Sequence, residues 1–211
     1  RQVRSPMLVP LRCPCVSLCC GSHCSVLVTR RGTLWGGGLN LGGTLSEEAR
    51  VDGQLSSPTY LDLAELENFG LAAIAAGREH LLAVTDSGVL LSWAASNLDG
   101  QAGVGPDLAC AGPIHPRTPA WPAQLLRHAT QVRIATVACG EAHSLALTES
   151  GECYAFGSNS HGQLGLGEGM PQAASPVSVG GKARGIPLRA VAAGSYHSMA
   201  LTVSGAVFTW G

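Results

Sequence analysis

Three histidines share one position in a recurring pattern: His80, His143 and His197 each follow a glycine by three residues (Gly77, Gly140, Gly194). Two are followed directly by a serine, Ser144 and Ser198. An imidazole beside a hydroxyl is the raw material of nucleophilic catalysis, and several imidazoles together could hold a metal. A second reactive set crowds the N-terminus, where Cys13, Cys15, Cys19, Cys20 and Cys24 supply five of the eight cysteines. Zinc sites use C-x₂₋₄-C pairs repeated at a distance, whereas here the spacing is C-x-C-x₃-C-C-x₃-C. Glycine runs at Gly36–Gly38, Gly42–Gly43 and Gly165-Leu-Gly167-Glu-Gly169 suggest a phosphate cradle. They lack the Gly-Lys-Ser/Thr ending and open no helix, so none is expected.

The elements that carry these residues are copies of one unit. Its clearest form runs from Val137 to Gly157, and it recurs from Val191 to Gly211 and from Ile74 to Trp93. A worn copy starts at Leu18. The anchor glycines Gly21, Gly77, Gly140 and Gly194 are separated by 56, 63 and 54 residues. The internal offsets do not vary: glycine to threonine is eight and glycine to the turn glycine is eleven. Length varies only in the connections, as in stacked or radial modules. Each unit reads as short strands. His197–Thr202 is an apolar run, Ser204-Gly205 a turn, and Ala206–Trp210 an alternating run. Leu188–Ala193 lies upstream, with Pro176–Val179 ahead of it, and Pro58–Leu61 stands likewise ahead of the Gly77 unit. Four short antiparallel strands per unit predict an all-β chain, a partial β-propeller of three to four repeats. The expected organisation is a lead-in over 1–15 and a partial propeller over 16–211. Its repeat cores are 16–43 (degenerate), 74–105, 137–167 and 191–211 (truncated). Short helices are expected only in connections, at 61–71, ended by Gly70, and at 123–129.

That register takes the reactive residues apart. Equivalent side chains of successive blades should sit far apart around a ring, so the histidines should not converge on a metal or form a catalytic pair. Each imidazole is expected to bond a backbone group near its glycine turn, and His143→Ala to cost on the order of 1 kcal/mol. Neighbours on a strand point to opposite faces, so Ser144 and Ser198 should not meet their own histidines. Cys19-Cys20 fills the small-residue slot held by Ala75-Ala76 and Ala192-Ala193, and Cys24 fills the histidine slot. Free thiols in such places behave as small hydrophobes. Trp93, Phe156 and Trp210 share one position and should pack inside each blade. The residues singled out are therefore structural: Gly77, His80, Gly88, Gly140, His143, Gly151, Gly162, Gly165, Gly194, His197 and Gly205. No catalytic, cofactor-binding or metal-binding residue is expected.

Composition narrows the function classes. A charged fraction of 13% with 28 glycines fits a turn-rich β protein. A net charge of -1 gives no basic footprint for nucleic acid. No apolar run approaches the ~20 residues of a membrane span. Prolines and arginines interrupt 1–9, which has no initiator Met, so a signal peptide is not expected. A reducing, intracellular setting, cytoplasmic or nuclear, is the expectation.

The pattern Gly-x-x-His-Ser-x-x-Leu-Thr-x-x-Gly, an aromatic-Gly, then Asn-x-x-Gly-Gln-Leu-Gly resembles the repeat of the regulator of chromosome condensation family. Gly140–Gly167 matches best, with Asn159, Gly162, Gln163, Leu164 and Gly165 in place. The Gly77 copy departs at Leu81 and Ala94, and the first copy loses the histidine and the Gly-Gln-Leu-Gly end. The resemblance implies a seven-bladed propeller. Only three full units and a fourth stopping at Trp210-Gly211 are seen, so a piece of a longer polypeptide, or one needing a partner to close, is expected. The Gly-Trp-Arg-His-Thr signature of the related plant UV-B photoreceptor is absent. The expected function is a non-enzymatic protein–protein interaction scaffold. Its contact surfaces should lie at 98–121, which includes Trp121, and at 166–187. The alternatives are guanine-nucleotide exchange on a small Ran-like GTPase, or targeting within a larger enzyme such as a HECT-type ubiquitin ligase. Protein partners are expected, a small GTPase among the candidates, and no small-molecule substrate, cofactor, nucleic acid or membrane.

Overall fold

The computed structural model describes residues 11, 13–39, 54–61, 70–105, 132–167 and 169–211. These residues form an all-β architecture of four antiparallel sheets, ordered radially as sectors of a propeller. The first sheet is β1 (Cys15–Cys20), β2 (Cys24–Thr29), β3 (Leu34–Leu39) and β4 (Gln54–Leu61). The second is β5 (Leu71–Ala76), β6 (His80–Thr85) and β7 (Leu90–Ala94). The third is β8 (Ile134–Cys139), β9 (His143–Thr148), β10 (Cys153–Ser158) and β11 (Gln172–Ser178). The fourth is β12 (Leu188–Ala193), β13 (Ser198–Thr202) and β14 (Val207–Trp210). The first strands β1, β5, β8 and β12 touch in series and lie innermost. Each starts six residues before its anchor glycine. All four carry a register shift near their start, at Cys15/Ser17, Leu71/Ala73, Ile134/Thr136 and Leu188/Ala190. A bulge repeated at one place twists every inner strand alike.

The hairpin between second and third strands has one chemical cause. The backbone N–H of Gly88, Gly151 and Gly205 bonds the carbonyl of Thr85, Thr148 and Thr202, at 2.8, 3.0 and 3.1 Å. The same threonines accept a second bond at Oγ1 from Val89, Glu152 and Ala206, at 3.0, 2.9 and 2.8 Å. Gly88 has φ +80°, a region where a side chain is strained. The offset of eight for threonine and eleven for glycine is the length of this staple.

Two expectations need correction. The strands at Pro58–Leu61 and Pro176–Val179 were placed ahead of the following unit. Instead β4 pairs with β3 and β11 with β10, so each closes the sheet before it. Strand order along the chain does not reveal on which side of a crossover a strand finds its partner. Residues 166–187, expected as a contact loop, hold β11 and a 3₁₀ turn at Gly181–Ala183. The helices expected at 61–71 and 123–129 lie outside the described residues, except that Leu61 ends β4 and Leu71 opens β5. Trp121 and the loop beyond residue 105 also lie outside them. No helix among the described residues is long and apolar enough to cross a membrane.

The core sits between sheets. One apolar cluster joins Val26, Val28 and Leu34 of the first sheet to Leu81, Leu91 and Trp93 of the second. The next joins Leu82 and Val84 to Ile134, Val137 and Phe156. The third joins Leu145, Leu147 and Leu164 to Leu188 and Ala200, with Trp210 packed against it. The aromatic residues expected inside each blade therefore fill the seams between blades. Each fully buried side chain of this size stabilises by about 2 kcal/mol.

Candidate functional site

The histidines, serines and glycines meet at the inner end of each seam. His80 Nε2 lies 3.0 Å from Ser144 Oγ, and Ser144 Oγ donates to the Gln101 carbonyl at 2.8 Å. One blade on, His143 Nε2 lies 3.0 Å from Ser198 Oγ, which donates to the Gln163 carbonyl at 2.7 Å. The serine's one proton goes to the carbonyl, so the imidazole must donate from Nε2. This fixes the tautomer and leaves Nδ1 bare. The Nδ1 atoms of His80 and His143 have no hydrogen-bond partner among the described residues.

The hydrogen-bond partner is thereby corrected. The imidazoles bond the next blade's serine rather than backbone at their own turn. His80 and His143 do not bond one another; each meets a serine of the next blade. Burial first, and then the charge of His143, disfavour protonation of His80. And although a serine cannot reach its own histidine, it reaches the preceding blade's.

The loops that supply the carbonyls are built by the Asn-x-x-Gly-Gln pattern. Asn97 Oδ1 accepts from Ala102 N at 2.8 Å, and Asn159 Oδ1 from Leu164 N at 2.9 Å. The loops then press on the next blade. Gly103 sits against the Phe156 ring and Gly165 against Trp210, whose indole donates to Gln163 at 2.8 Å.

The anchor glycines are the second fixture. A Cβ on Gly140 would run into the His143 ring and approach the Gly194 carbonyl at 2.6 Å. Gly77 stands the same way towards His80 and Gly140, and Gly194 towards His197. Beside them backbone bonds cross the seams, Arg78 N to Glu141 O and Glu141 N to Ser195 O, each 3.1 Å.

The imidazole–hydroxyl pairs tie adjacent sheets together. His80, His143, Ser144 and Ser198 are all essentially inaccessible to solvent. Burial depresses the His80 and His143 pKa values to about 3 and about 4, so both imidazoles are neutral near pH 7. Among the described residues no carboxylate bonds either Nδ1 to complete a triad. Among the described residues no three His, Cys, Asp or Glu gather as a metal site. The seven described cysteines are free, and burial pushes Cys19 and Cys153 up to about 12, far from a reactive thiolate.

The first seam explains the worn copy. Cys24 replaces the histidine and Leu81 the serine it would meet, and both sit in one apolar cluster. The polar pair is exchanged on both sides at once for an apolar one. The two departures lie far apart in the sequence and are joined by the cluster that both residues enter.

Exposed chemistry lies on the rim beside the anchor turns. Arg78 Nη1 bonds Glu141 Oε1 at 2.9 Å, and Arg78 also faces Glu79. The Tyr196 and His161 rings are 4.9 Å apart. The neighbouring Glu141 carboxylate raises the pKa of the Tyr196 hydroxyl. Arg78 and Tyr196 are each about half exposed. Nothing in the repeat pattern marks these residues, because they occupy the positions that vary between copies.

The regulator of chromosome condensation (RCC1) repeat matches residues 134–163 and 150–201. The chain is 35% identical over 191 residues to the human "Probable E3 ubiquitin-protein ligase HERC6", covering 90% of this chain and 17% of that protein. It thus spans under a fifth of that relative. Among solved structures, human WBSCR16 superposes with TM-score 0.75 at 27% identity, over 96% of this chain and 50% of the other. Yeast RCC1 (Prp20), in its complex with Kap60, gives TM-score 0.78 at 24% identity, over 96% and 45%.

Proposed function

We propose, for a chain that belongs to the regulator of chromosome condensation (RCC1) repeat family, a non-catalytic role as a protein-interaction scaffold. One observation supports this: His80, His143, Ser144 and Ser198 are committed to buried seams, and beside those seams an exposed rim carries Arg78, Glu141, Tyr196 and His161. Tyrosine and arginine are enriched among the residues that carry binding energy at protein interfaces. The alternative is guanine-nucleotide exchange. Its test is nucleotide release from a Ran-type GTPase preloaded with fluorescent GDP. The scaffold reading expects the spontaneous rate with this chain added; catalysed release overturns it.

A narrower version is supported by the likeness to a ubiquitin-protein ligase over 90% of this chain. In it the scaffold selects partners for a ligase domain of a larger polypeptide. Sequencing the transcript past the codon for Gly211 tests it. A ligase domain in frame supports this version, and a reading frame without one removes it.

A further inference from the structure

The backbone repeats one joint at the hairpin end of the blades. The carbonyl of the residue ahead of an inner strand, Gly70, Arg133 or Pro187, accepts a bond from Asp86 N, Glu149 N or Val203 N, at 2.8, 2.9 and 3.0 Å. Arg133 and Pro187 thus hold one position, and the turn glycine of the preceding blade rests on each, Gly88 on Arg133 and Gly151 on Pro187. At the second seam this position sends out a side chain. The Arg133 guanidinium crosses to the Asp86 carbonyl of the preceding blade at 3.4 Å and pairs with Glu149 at 3.1 Å. At the third seam the proline has no such arm, and a cavity of about 440 Å³ lies beside it. Ser150, Glu152 and Ser178 of the third blade line the cavity, with Arg184, Ile186 and Pro187 of the connection to the fourth. The Glu152 carboxylate is already aimed: one oxygen accepts from the Tyr154 hydroxyl and the other from Ser178 Oγ, each at 3.1 Å. Arg184 lines the same cavity, yet among the described residues it makes no ion pair with Glu152 or any other carboxylate.

We infer that the cavity of the third seam takes an arginine side chain of another polypeptide, one with an acidic residue next to that arginine. The guanidinium lies on the Glu152 carboxylate as Arg133 lies on Glu149, and the neighbouring acidic side chain meets Arg184. Three observations support this occupant. The chain itself fills the equivalent position of the second seam with an arginine. The carbonyl equivalent to that of Asp86 belongs to Glu149, beside Ser150 in the cavity wall. And Glu152 is held at both oxygens, so it is oriented for a planar, two-pronged donor, which a guanidinium is and an ammonium is not. Arg184 disfavours a ligand that is cationic throughout and favours one that also brings a carboxylate. The first seam has Gly70 at the same position, but Arg30 and Arg31 line its cavity and repel a guanidinium. The site lies at the end of the strands opposite the Arg78–Tyr196 rim, so the inference is independent of the scaffold reading.

The test takes its control from the second seam. Amide NMR spectra of the nitrogen-labelled 211-residue chain, titrated to millimolar concentration with the blocked peptide acetyl-Gly-Arg-Glu-Gly-amide, should show saturable shifts at Gly151, Glu152, Gly185 and Ile186. The same peptide with citrulline for arginine keeps the shape and loses the charge, and should bind about tenfold more weakly. Glu152→Gln should weaken the arginine peptide by a similar factor. Pro187→Arg writes the second seam's arrangement into the third and should abolish binding, because the chain then fills its own cavity. Glu152 and Pro187 are exposed, so circular dichroism should show both variants folded. Free L-arginine, which carries the same two groups, should bind more weakly than the peptide; tighter binding would overturn a polypeptide as the occupant. Absence of saturable shifts overturns the inference. So do shifts confined to another surface, equal binding of the citrulline peptide, or unchanged binding by either variant.

Discussion

Ser144 holds two partners with one oxygen, and that decides what its loss costs. Removing the hydroxyl leaves the His80 Nε2 proton and the Gln101 carbonyl unpaired in a buried seam. Ser144→Ala should therefore cost on the order of 2 kcal/mol, more than one ordinary hydrogen bond. Urea denaturation reads this directly, and an unchanged midpoint would contradict the relay. The buried imidazoles add a pH signature. Their folded pKa values of about 3 and about 4 lie below the ordinary 6.5, so the unfolded chain takes up protons first. Stability is complete above about pH 6.5 and is lost as pH falls towards the folded values, by on the order of 2 kcal/mol per histidine at pH 5. Thermal melting should drop between pH 7.5 and 5, and a His80→Gln/His143→Gln variant should lose most of that dependence. The histidines' structural role was legible in the sequence because a residue fixed in register across copies serves the repeat. Their partner was not, because the serine that each one meets lies one unit further on, 64 or 55 residues away.

At the scale of the element, glycines of one composition do different work. Gly140 has no positive φ, but its Cβ position is already filled by the His143 ring and the neighbouring carbonyl. Gly169 has φ +93° and open space around it. Gly140→Ala should cost several kcal/mol through overpacking between two inner strands. Gly169→Ala should cost about 1 kcal/mol through backbone strain alone. Melting curves of the two variants should separate widely; equal shifts would mean that the inner strands yield. The hairpins were readable from sequence, since threonine, glycine and alternating strands are local signals. Membership of the outermost strand was not. β4 and β11 pair backwards across a bulge, a choice made by the sheet edge that each finds free.

At the scale of the molecule, no blade owns its core. The three large apolar clusters each straddle two sheets, and each polar pair joins a donor on one blade to an acceptor on the next. The all-β propeller class was legible because repetition with variable connections leaves few other folds. The seams were not, because periodicity shows which side chains face inward but not which sheet they face. The paired exchange at Cys24 and Leu81 bears on how such a chain can be cut and rejoined by recombination. Loss of the third sheet would bring His80 against Ser198, a matched joint. Loss of the second would bring Cys24 against Ser144, a thiol facing a hydroxyl whose imidazole has gone. Duplication and excision of repeats in a lineage would thus be filtered by joint chemistry, and some units would be dispensable where others are not.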